Sequence, residues 1–525
     1  MLKPDTFVSV DVETTGLDAQ LHEIIEVGAV KVVNGTVAAE YSQLVKPLKP
    51  LPDFITHLTG ISAADLKHAP PIRDAMPPFL DFVSGFKIVG QNIGFDIGFL
   101  RAAAGMGNFS NPIDTVEFAR VLLPMLPSYN LDSLIEFFAL EPEKRHRALE
   151  DARVTAQVYL KLLGMLRVFP DGLLAEMNAL SSRTGSSLAE VFEAHLMERI
   201  EHPTAFRGPA HIPDARMAGP DNMFGDFSGD IPDFGETGGF VDENRMEDVL
   251  RAGGALSRVH EDFEERPGQI ALARRMVRAF NDAEIFLAEA GTGTGKSIAY
   301  LAPSVLFAES AHERVVVSTN TKNLQEQLFY KDIPLLARML DFGFRAVILK
   351  GRGNYICLTR WKRLIETPDQ YLTRQERALV LPVAAWLHTT TTGDLSETGF
   401  FPMLAETGLL ERINSEPVSC LGPRCRHRDR CFVNRIRNAA RRAHIVIVNH
   451  SLVFSDMVSE GAVLGMYARI VFDEAHNLEK VAMRYLGVTL TYSRIRRILN
   501  RLYTKSEGNH GILAALESWA KKAVE

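Results

Sequence analysis

The stretch Phe7-Val8-Ser9-Val10-Asp11-Val12-Glu13-Thr14-Thr15-Gly16 decides how the first third of the chain is read. Phe7 to Val10 is a short β-type run, and Asp11 and Glu13 flank Val12 at its end. Strand periodicity of two turns both carboxylates to one face. Two adjacent carboxylates repel unless a cation or a proton resolves them, which points to a divalent-metal site. Taken alone, an Asp-x-Glu pair on a strand is more often an exposed face. Around it, Ile24 to Val33 reads as a second strand closed by the hairpin signal Asn34-Gly35, and Lys87-Ile88-Val89-Gly90 as a buried strand. Ala148 to Leu162 has helical apolar spacing. Strands and helices alternate over 1–165, which describes one α/β unit.

Further acids stand at the starts of loops and helices. Asp96 closes Gly90-Gln91-Asn92-Ile93-Gly94-Phe95-Asp96, just past a strand, where sheet-edge ligand sites form. Asp151 opens the helical stretch, and His146 precedes it by five residues, about 140° around a helix, so the imidazole is expected to project from the preceding loop toward the acids. A histidine there could deprotonate an attacking water. A lone histidine is ordinarily a surface or core side chain, and the chain has 15.

Asp11-Val12-Glu13-Thr14-Thr15-Gly16, His57-Leu58-Thr59-Gly60-Ile61, Asn92 to Asp96 and His146-Arg147-Ala148-Leu149-Glu150-Asp151 together resemble the DnaQ-like 3′→5′ exonucleases of the DEDDh subgroup, in the right order over about 1–165. The resemblance implies an RNase H-like fold in which Asp11, Glu13, Asp96 and Asp151 hold two Mg²⁺ or Mn²⁺ ions and His146 is the general base.

Size and charge set the outer bounds. The chain has 525 residues, 46% hydrophobic and 23% charged, with 58 Lys and Arg against 65 Asp and Glu for a net charge of −7. At roughly 150 residues per domain this length gives two to four domains and excludes a small stapled scaffold. No apolar run reaches the roughly 18 residues a bilayer span needs, and Asp5, Asp11, Glu13 and Asp18 stand where a signal peptide would be apolar. A soluble, cytoplasmic protein with no membrane partner is expected. Mild acidity leaves a nucleic-acid partner open, because phosphate binding depends on where positive charge clusters.

Residues 172–198 read as helical. Pro203, Gly208, Pro209, Pro213, Gly219, Pro220, Gly225, Gly229, Pro232 and Gly235 then interrupt any period, so 166–240 reads as a helical segment and Pro/Gly-rich linker. A second α/β unit spans 241–480. Its β-type runs are Ile285-Phe286-Leu287, Val315-Val316-Val317, Ala346-Val347-Ile348-Leu349, Ile445-Val446-Ile447-Val448 and Ile470-Val471-Phe472. Such continuous apolar runs suit a parallel sheet covered on both faces.

Ala290-Gly291-Thr292-Gly293-Thr294-Gly295-Lys296-Ser297 follows the first of these runs and precedes a helical span. That setting suits a phosphate-binding loop: backbone N–H groups converge on phosphates, Lys296 adds a point charge and Ser297 reaches Mg²⁺. Ala290 replaces the usual first glycine. Asp473-Glu474-Ala475-His476 ends the last run, where Asp473 can hold the Mg²⁺ water shell and Glu474 can orient a water. Acidic pairs after strands are also common helix caps, so this pair gains meaning from the loop. Together the two motifs define a RecA-like ATPase. Arg266-Pro267-Gly268-Gln269 resembles the adenine-reading Q-motif, with Gln269 the base contact. Ser318-Thr319-Asn320-Thr321 resembles a helicase motif that touches the nucleic-acid backbone, or else is a helix N-cap.

All four cysteines, Cys357, Cys420, Cys425 and Cys431, lie where the βα rhythm breaks, about 351–444. Their spacing, C-x62-C-x4-C-x5-C, leaves zinc and an iron–sulfur cluster both open. Arg412, Arg424, Arg426, Arg428, Arg430, Arg435, Arg437, Arg441 and Arg442 surround the last three, against Glu411, Glu416 and Asp429. Such a run is either a solvated face or a phosphate-backbone surface. With Gly351-Arg352-Gly353-Asn354-Tyr355-Ile356-Cys357 and Val448-Asn449-His450, these motifs resemble the DinG/XPD-like superfamily 2 helicases over about 241–480. That resemblance implies a [4Fe–4S] cluster on the four cysteines, Mg²⁺-dependent use of ATP, and 5′→3′ movement on single-stranded DNA. An exonuclease domain ahead of it resembles the exonuclease-bearing branch of the DinG proteins.

The expected fold is therefore α/β: an RNase H-like exonuclease domain followed by a RecA-like P-loop domain with an iron–sulfur insertion. Residues 481–525 read as the start of an arch-like insertion, with the chain incomplete before a second RecA-like domain. The expected function is a 3′→5′ exonuclease fused to an ATP-dependent DNA helicase in repair or replication. Two rivals are a nuclease with a non-unwinding ATP-binding regulatory module and a zinc-organised nucleic-acid binding protein.

Overall fold

A computed structural model of the chain describes residues 3–104, 109, 111–142, 146–201, 222–226, 239–260, 263–291, 293–368, 372–459, 461–467, 469–487, 490–503 and 511–524. Most of the Pro/Gly-rich stretch 203–240, and Thr292 of the phosphate loop, lie outside these residues. The chain divides into two units. One comprises 1–219, 362–390 and 395–412, and the other comprises 220–361, 391–394 and 413–525. The cysteine-bearing insertion is thus shared between them, and the helices Asp171–Thr184 and Ala189–Glu201 belong to the first.

The first unit is built on a five-stranded mixed sheet of order β3-β2-β1-β4-β5, with β1 Phe7–Thr14, β2 Ile24–Val33, β3 Thr36–Leu44, β4 Lys87–Gly90 and β5 Ile113–Asp114. β1, β2 and β3 form an antiparallel meander, whereas β4 runs parallel to β1 and β5 parallel to β4. The β2–β3 turn is Asn34-Gly35, at φ 50° and 75°, the positive pair a two-residue hairpin requires. Helices Gly94–Ala104 (α1), Thr115–Leu122 (α2), Ala148–Leu166 (α3) and Asp171–Thr184 (α4) follow. α3 packs against β1 and β2, and its buried Tyr159 ring meets Phe7 edge-on with centroids 4.7 Å apart.

The second unit has a sheet of order β10-β7-β9-β8-β6, comprising β6 Met223–Phe224, β7 Val315–Thr319, β8 Ala346–Ile348, β9 Ile445–Asn449 and β10 Arg469–Phe472. β7 to β10 are parallel, and β6 adds antiparallel at one edge. The helices used below are Lys296–Ser310 (α5), Phe432–Arg442 (α6) and His450–Val458 (α7).

One expected strand is not formed. Ile285-Phe286-Leu287 has no regular structure, and Ile285 and Leu287 are 96% and 86% exposed. An apolar run becomes a strand only beside a neighbour that takes its backbone hydrogen bonds, and no described strand pairs with it. The remaining four runs are in the sheet.

Candidate active site

In the first unit, β1 presents Asp11 and Glu13 on one face, opposite Gly28 and Glu26 of β2. The start of α3 is fixed to the same place by Glu26, whose side chain is 1% exposed. Arg147 grips it with a fork, Nε to Oε2 at 3.0 Å and Nη2 to Oε1 at 2.6 Å, and the Ala148 N–H donates to Oε2 at 3.0 Å. Gly28 permits the approach, since a Cβ there would stand 2.2–2.3 Å from the Ala148 carbonyl and the Leu149 nitrogen. Asp151, one turn into α3 and buried, thereby joins the strand acids. One carboxylate oxygen from each of Asp11, Glu13 and Asp151 lies within 4.8 Å of the others. Three carboxylates so close are tolerable when a cation lies among them, and an all-oxygen donor set suits Mg²⁺ or Mn²⁺.

Asp96 is not in that trio. It is 3% exposed in the first turn of α1, and its Oδ1 accepts the Val12 N–H at 2.9 Å, between the two strand acids. Burial pushes its carboxyl up to about 8, opposed by the Val12 bond and reinforced by the charges of Glu13 and Asp114. The loop carrying it is shaped by Asn92 at φ 52°, whose N–H donates to Asp114 Oδ1 at 3.0 Å. Asp114 also caps α2 through the Val116 N–H, and burial raises its own carboxyl to about 6. His146 is exposed, at φ 59°, next to Arg147 at the mouth of α3. Histidine tolerates that left-handed backbone better than most side chains.

Glu26, Gly28 and Asp114 were not singled out in the sequence. Glu26 and Gly28 sit inside an ordinary apolar strand, and only the partner across the sheet explains them. A lone acid in an otherwise buried strand was the one available signal for Glu26.

In the second unit, Gly293 and Gly295 adopt φ 81° and 76°, and α5 starts at Lys296. Gly291, Thr294 and Ser297 complete the loop around that helix start, and the Thr294 hydroxyl donates to the Gly291 carbonyl. The Gln269 amide, 4% exposed, donates to the Gly295 carbonyl at 2.9 Å. The side chain expected to read a base therefore bonds the glycine-rich loop here. Lys296 Nζ stands 3.6 Å from Glu474 Oε1, and Tyr300 donates to Asp473 Oδ2 at 3.2 Å. Burial raises the Asp473 carboxyl. Glu474 is left-handed, at φ 55°.

Ser318 and Thr319 are fully buried, whereas Asn320 is half-buried and Thr321 exposed. Ser318 Oγ is 2.8 Å from His450 Nδ1, and Thr321 caps the helix Lys322–Gln327.

The four cysteines all lie in the second unit. Thr359 Oγ1 is 3.4 Å from Cys425 Sγ, and Cys357 is tied to the returning chain by its N–H to Ile413 O at 2.7 Å. The Gly422 backbone, with Arg352 beside it, lowers the Cys420 thiol pKa, which favours the thiolate a metal requires. Among the described residues no three cysteine sulfurs draw within the 4.8 Å spanned by the carboxylate trio. Of the arginines, 424, 426, 428, 430, 435 and 441 are exposed, whereas Arg437 is half-buried. Arg412 is spent on Glu376 at 3.1 Å within the first unit.

Residues 8–159 match the family model described as "Exonuclease", so the first unit carries an exonuclease domain of RNase H-like, mixed-sheet fold. Along almost its whole length the chain is homologous to DinG proteins. It is 32% identical over 513 residues to "3'-5' exonuclease DinG" of Bacillus subtilis, covering 95% of this chain and 53% of that protein. "ATP-dependent DNA helicase YoaA" of Haemophilus influenzae is 34% identical over 253 residues, 47% of this chain and 38% of that protein. The chain thus spans about half the length of the DinG relative. Among solved structures, "Exonuclease X in complex with 5' overhanging duplex DNA" is 26% identical, with a TM-score of 0.26 over 30% of this chain and 91% of that one. No described helix is long and apolar enough to cross a membrane.

Proposed function

We propose that the chain is a metal-dependent 3′→5′ exonuclease on single-stranded or 3′-ended DNA, joined to the ATP-binding part of a DinG-type helicase that works in repair or replication. The gathering of Asp11, Glu13 and Asp151 carries this reading. With Asp96 as a fourth ligand these acids hold two Mg²⁺ or Mn²⁺ ions, which when bound stabilise the attacking and leaving oxygens of an in-line displacement at phosphorus. Asp96, high in pKa while buried, must lose its proton to join them. His146 takes the proton of the attacking water, and its exposed position at the mouth of α3 leaves it free to reach substrate.

In the second unit, Gly291 to Ser297 take the phosphates of ATP, Asp473 the Mg²⁺ shell and Glu474 the water, once Lys296 leaves Glu474 for phosphate. Cys357, Cys420, Cys425 and Cys431 hold a [4Fe–4S] cluster, and the exposed arginines around the last three follow a phosphate backbone.

The deciding experiment is digestion of 3′-labelled single-stranded DNA without ATP. Asp11→Ala should remove Mg²⁺-dependent digestion, by more than about a hundredfold, and undiminished digestion would refute the assignment.

A further inference from the structure

We infer that the segment between Cys357 and Cys420 transmits the state of the four-cysteine centre to the nuclease unit. This rests on reading those thiols as a metal centre.

The segment is inserted in the ATPase half of the sequence, yet 362–390 and 395–412 belong to the nuclease unit. Helix Val380–Thr389 packs on α2 and α4, with Trp386 fully buried. Its Ala385 and Thr389 close an apolar cavity of about 30 Å³ against Leu122, Leu123, Phe169 and Leu173. Backbone meets backbone beside it. Gly399 donates to the Pro124 carbonyl at 2.9 Å, and a Cβ on Gly399 would fall 1.7 Å from the Leu126 oxygen. His388 Nε2 adds a contact to Glu176 at 2.9 Å. The occupant of this face of the nuclease is therefore the insertion, and α2 is capped by Asp114, which also holds the Asp96 loop.

The segment leaves and re-enters the second unit through a neck built on the cysteine loops. Ile356 pairs with Asn414, the Ser415 N–H donates to the Tyr355 carbonyl at 2.7 Å, and Arg360 reaches the Asn414 carbonyl at 2.8 Å. Arg352, which neighbours the Cys420 thiol, also bonds Ser415 Oγ at 3.1 Å. The short return 391–394 is held there too, with the Ile356 N–H on the Gly393 carbonyl at 3.0 Å and Lys350 Nζ on Asp394 at 2.6 Å. Cys357 and Cys420 thus stand at the two ends of the docked segment. Binding at the cysteines fixes both ends, and its loss loosens them and weakens the cover over α2.

Hydrogen exchange of the full chain tests this, read alongside iron, sulfide and zinc content. Cys420→Ser should speed exchange of amides in 115–126 and 380–389 by about tenfold, leaving 152–162 within α3 unchanged. Ala385→Arg, or Thr389→Asp should that variant not fold, should give the same rise at 115–126 with metal content intact. No rise with Cys420→Ser overturns the coupling, and no rise with the docking variants overturns the dock. A wild-type protein lacking iron, sulfide and zinc breaks the reading of the cysteines as a metal centre. Even then, a rise with Cys420→Ser supports transmission through the neck, and no rise overturns it.

Discussion

The two units hold their chemistry in different ways. In the first, the acid trio is held by strand register, a buried Glu26 fork and one glycine, all fixed before any ligand arrives. In the second, the groups of the glycine-rich loop and its neighbours are engaged with each other: Gln269 holds Gly295, Lys296 faces Glu474, and Tyr300 bonds Asp473. A site whose geometry depends on backbone approach is lost by steric change. One held by exchangeable side-chain contacts is opened by its ligand.

The largest effect that would break this contrast is expected at Gly28. Gly28→Val places a side chain where the Ala148 carbonyl lies, so α3 must shift and carry Asp151 out of the trio. Nuclease activity should fall by more than about a hundredfold, with a cost of several kcal/mol from overpacking and lost helix docking, measurable by denaturant unfolding. An active, equally stable variant would remove the argument from backbone approach.

Glu26→Gln comes next. It keeps the shape and loses the charge that holds Arg147. Because Arg147 keeps a third of its side chain in water, the loss should be smaller than the roughly 3–5 kcal/mol of a fully buried pair. The expected signature is a lower affinity for Mn²⁺ with the fold retained.

In the second unit, saturating ATP should raise thermal stability by RT ln(1 + [L]/Kd), about 2.7 kcal/mol at a hundredfold excess over Kd. Lys296→Ala should abolish that shift while sparing digestion of DNA. Gln269→Ala should loosen the loop and weaken nucleotide binding less than Lys296→Ala. A nuclease defect in Lys296→Ala would show that the two sites are not separate.

The smallest effect separates the units by pH. In metal-free protein the folded Asp114 carboxyl titrates near 6, above its unfolded value, so the first unit gains stability as pH falls through 6 toward 4. His444 is lowered to about 4, chiefly by burial, and its Nδ1 accepts the Arg345 N–H at 2.9 Å. In the second unit His444 therefore contributes a loss of stability as pH falls from 6.5 toward 4, opposed by Asp332, whose carboxyl burial raises to about 6. Asp114→Asn should reduce the first trend below pH 6, leaving the part carried by Asp96 with its carboxyl at about 8, and should leave the second unit's response unchanged. An acid response of the first unit left unchanged by Asp114→Asn would contradict the assignment.

Much of the first unit was legible because its signals are local. Alternation marks β1, Asn34-Gly35 marks the hairpin, and apolar spacing marks α3. The acid trio was legible as residue types, but its closure was not, since Glu26 and Gly28 act across the sheet and their roles depend on a partner more than a hundred residues away. Asp96 was grouped with the other acids by resemblance, whereas here it bonds the Val12 backbone. The Ile285–Leu287 run failed as a strand because an apolar β-type sequence cannot specify its neighbour. The insertion was read as one body from its cysteines, while the almost wholly apolar helix Val380–Thr389 between them packs on α2 and α4 instead.

The central claim is tested most directly by calorimetric titration with Mn²⁺ of the wild type, Asp11→Ala, Asp151→Asn and Lys296→Ala in the absence of nucleotide. Binding should disappear in the first two variants and persist in the third. Equal binding by all four proteins would contradict a metal site built from β1 and α3.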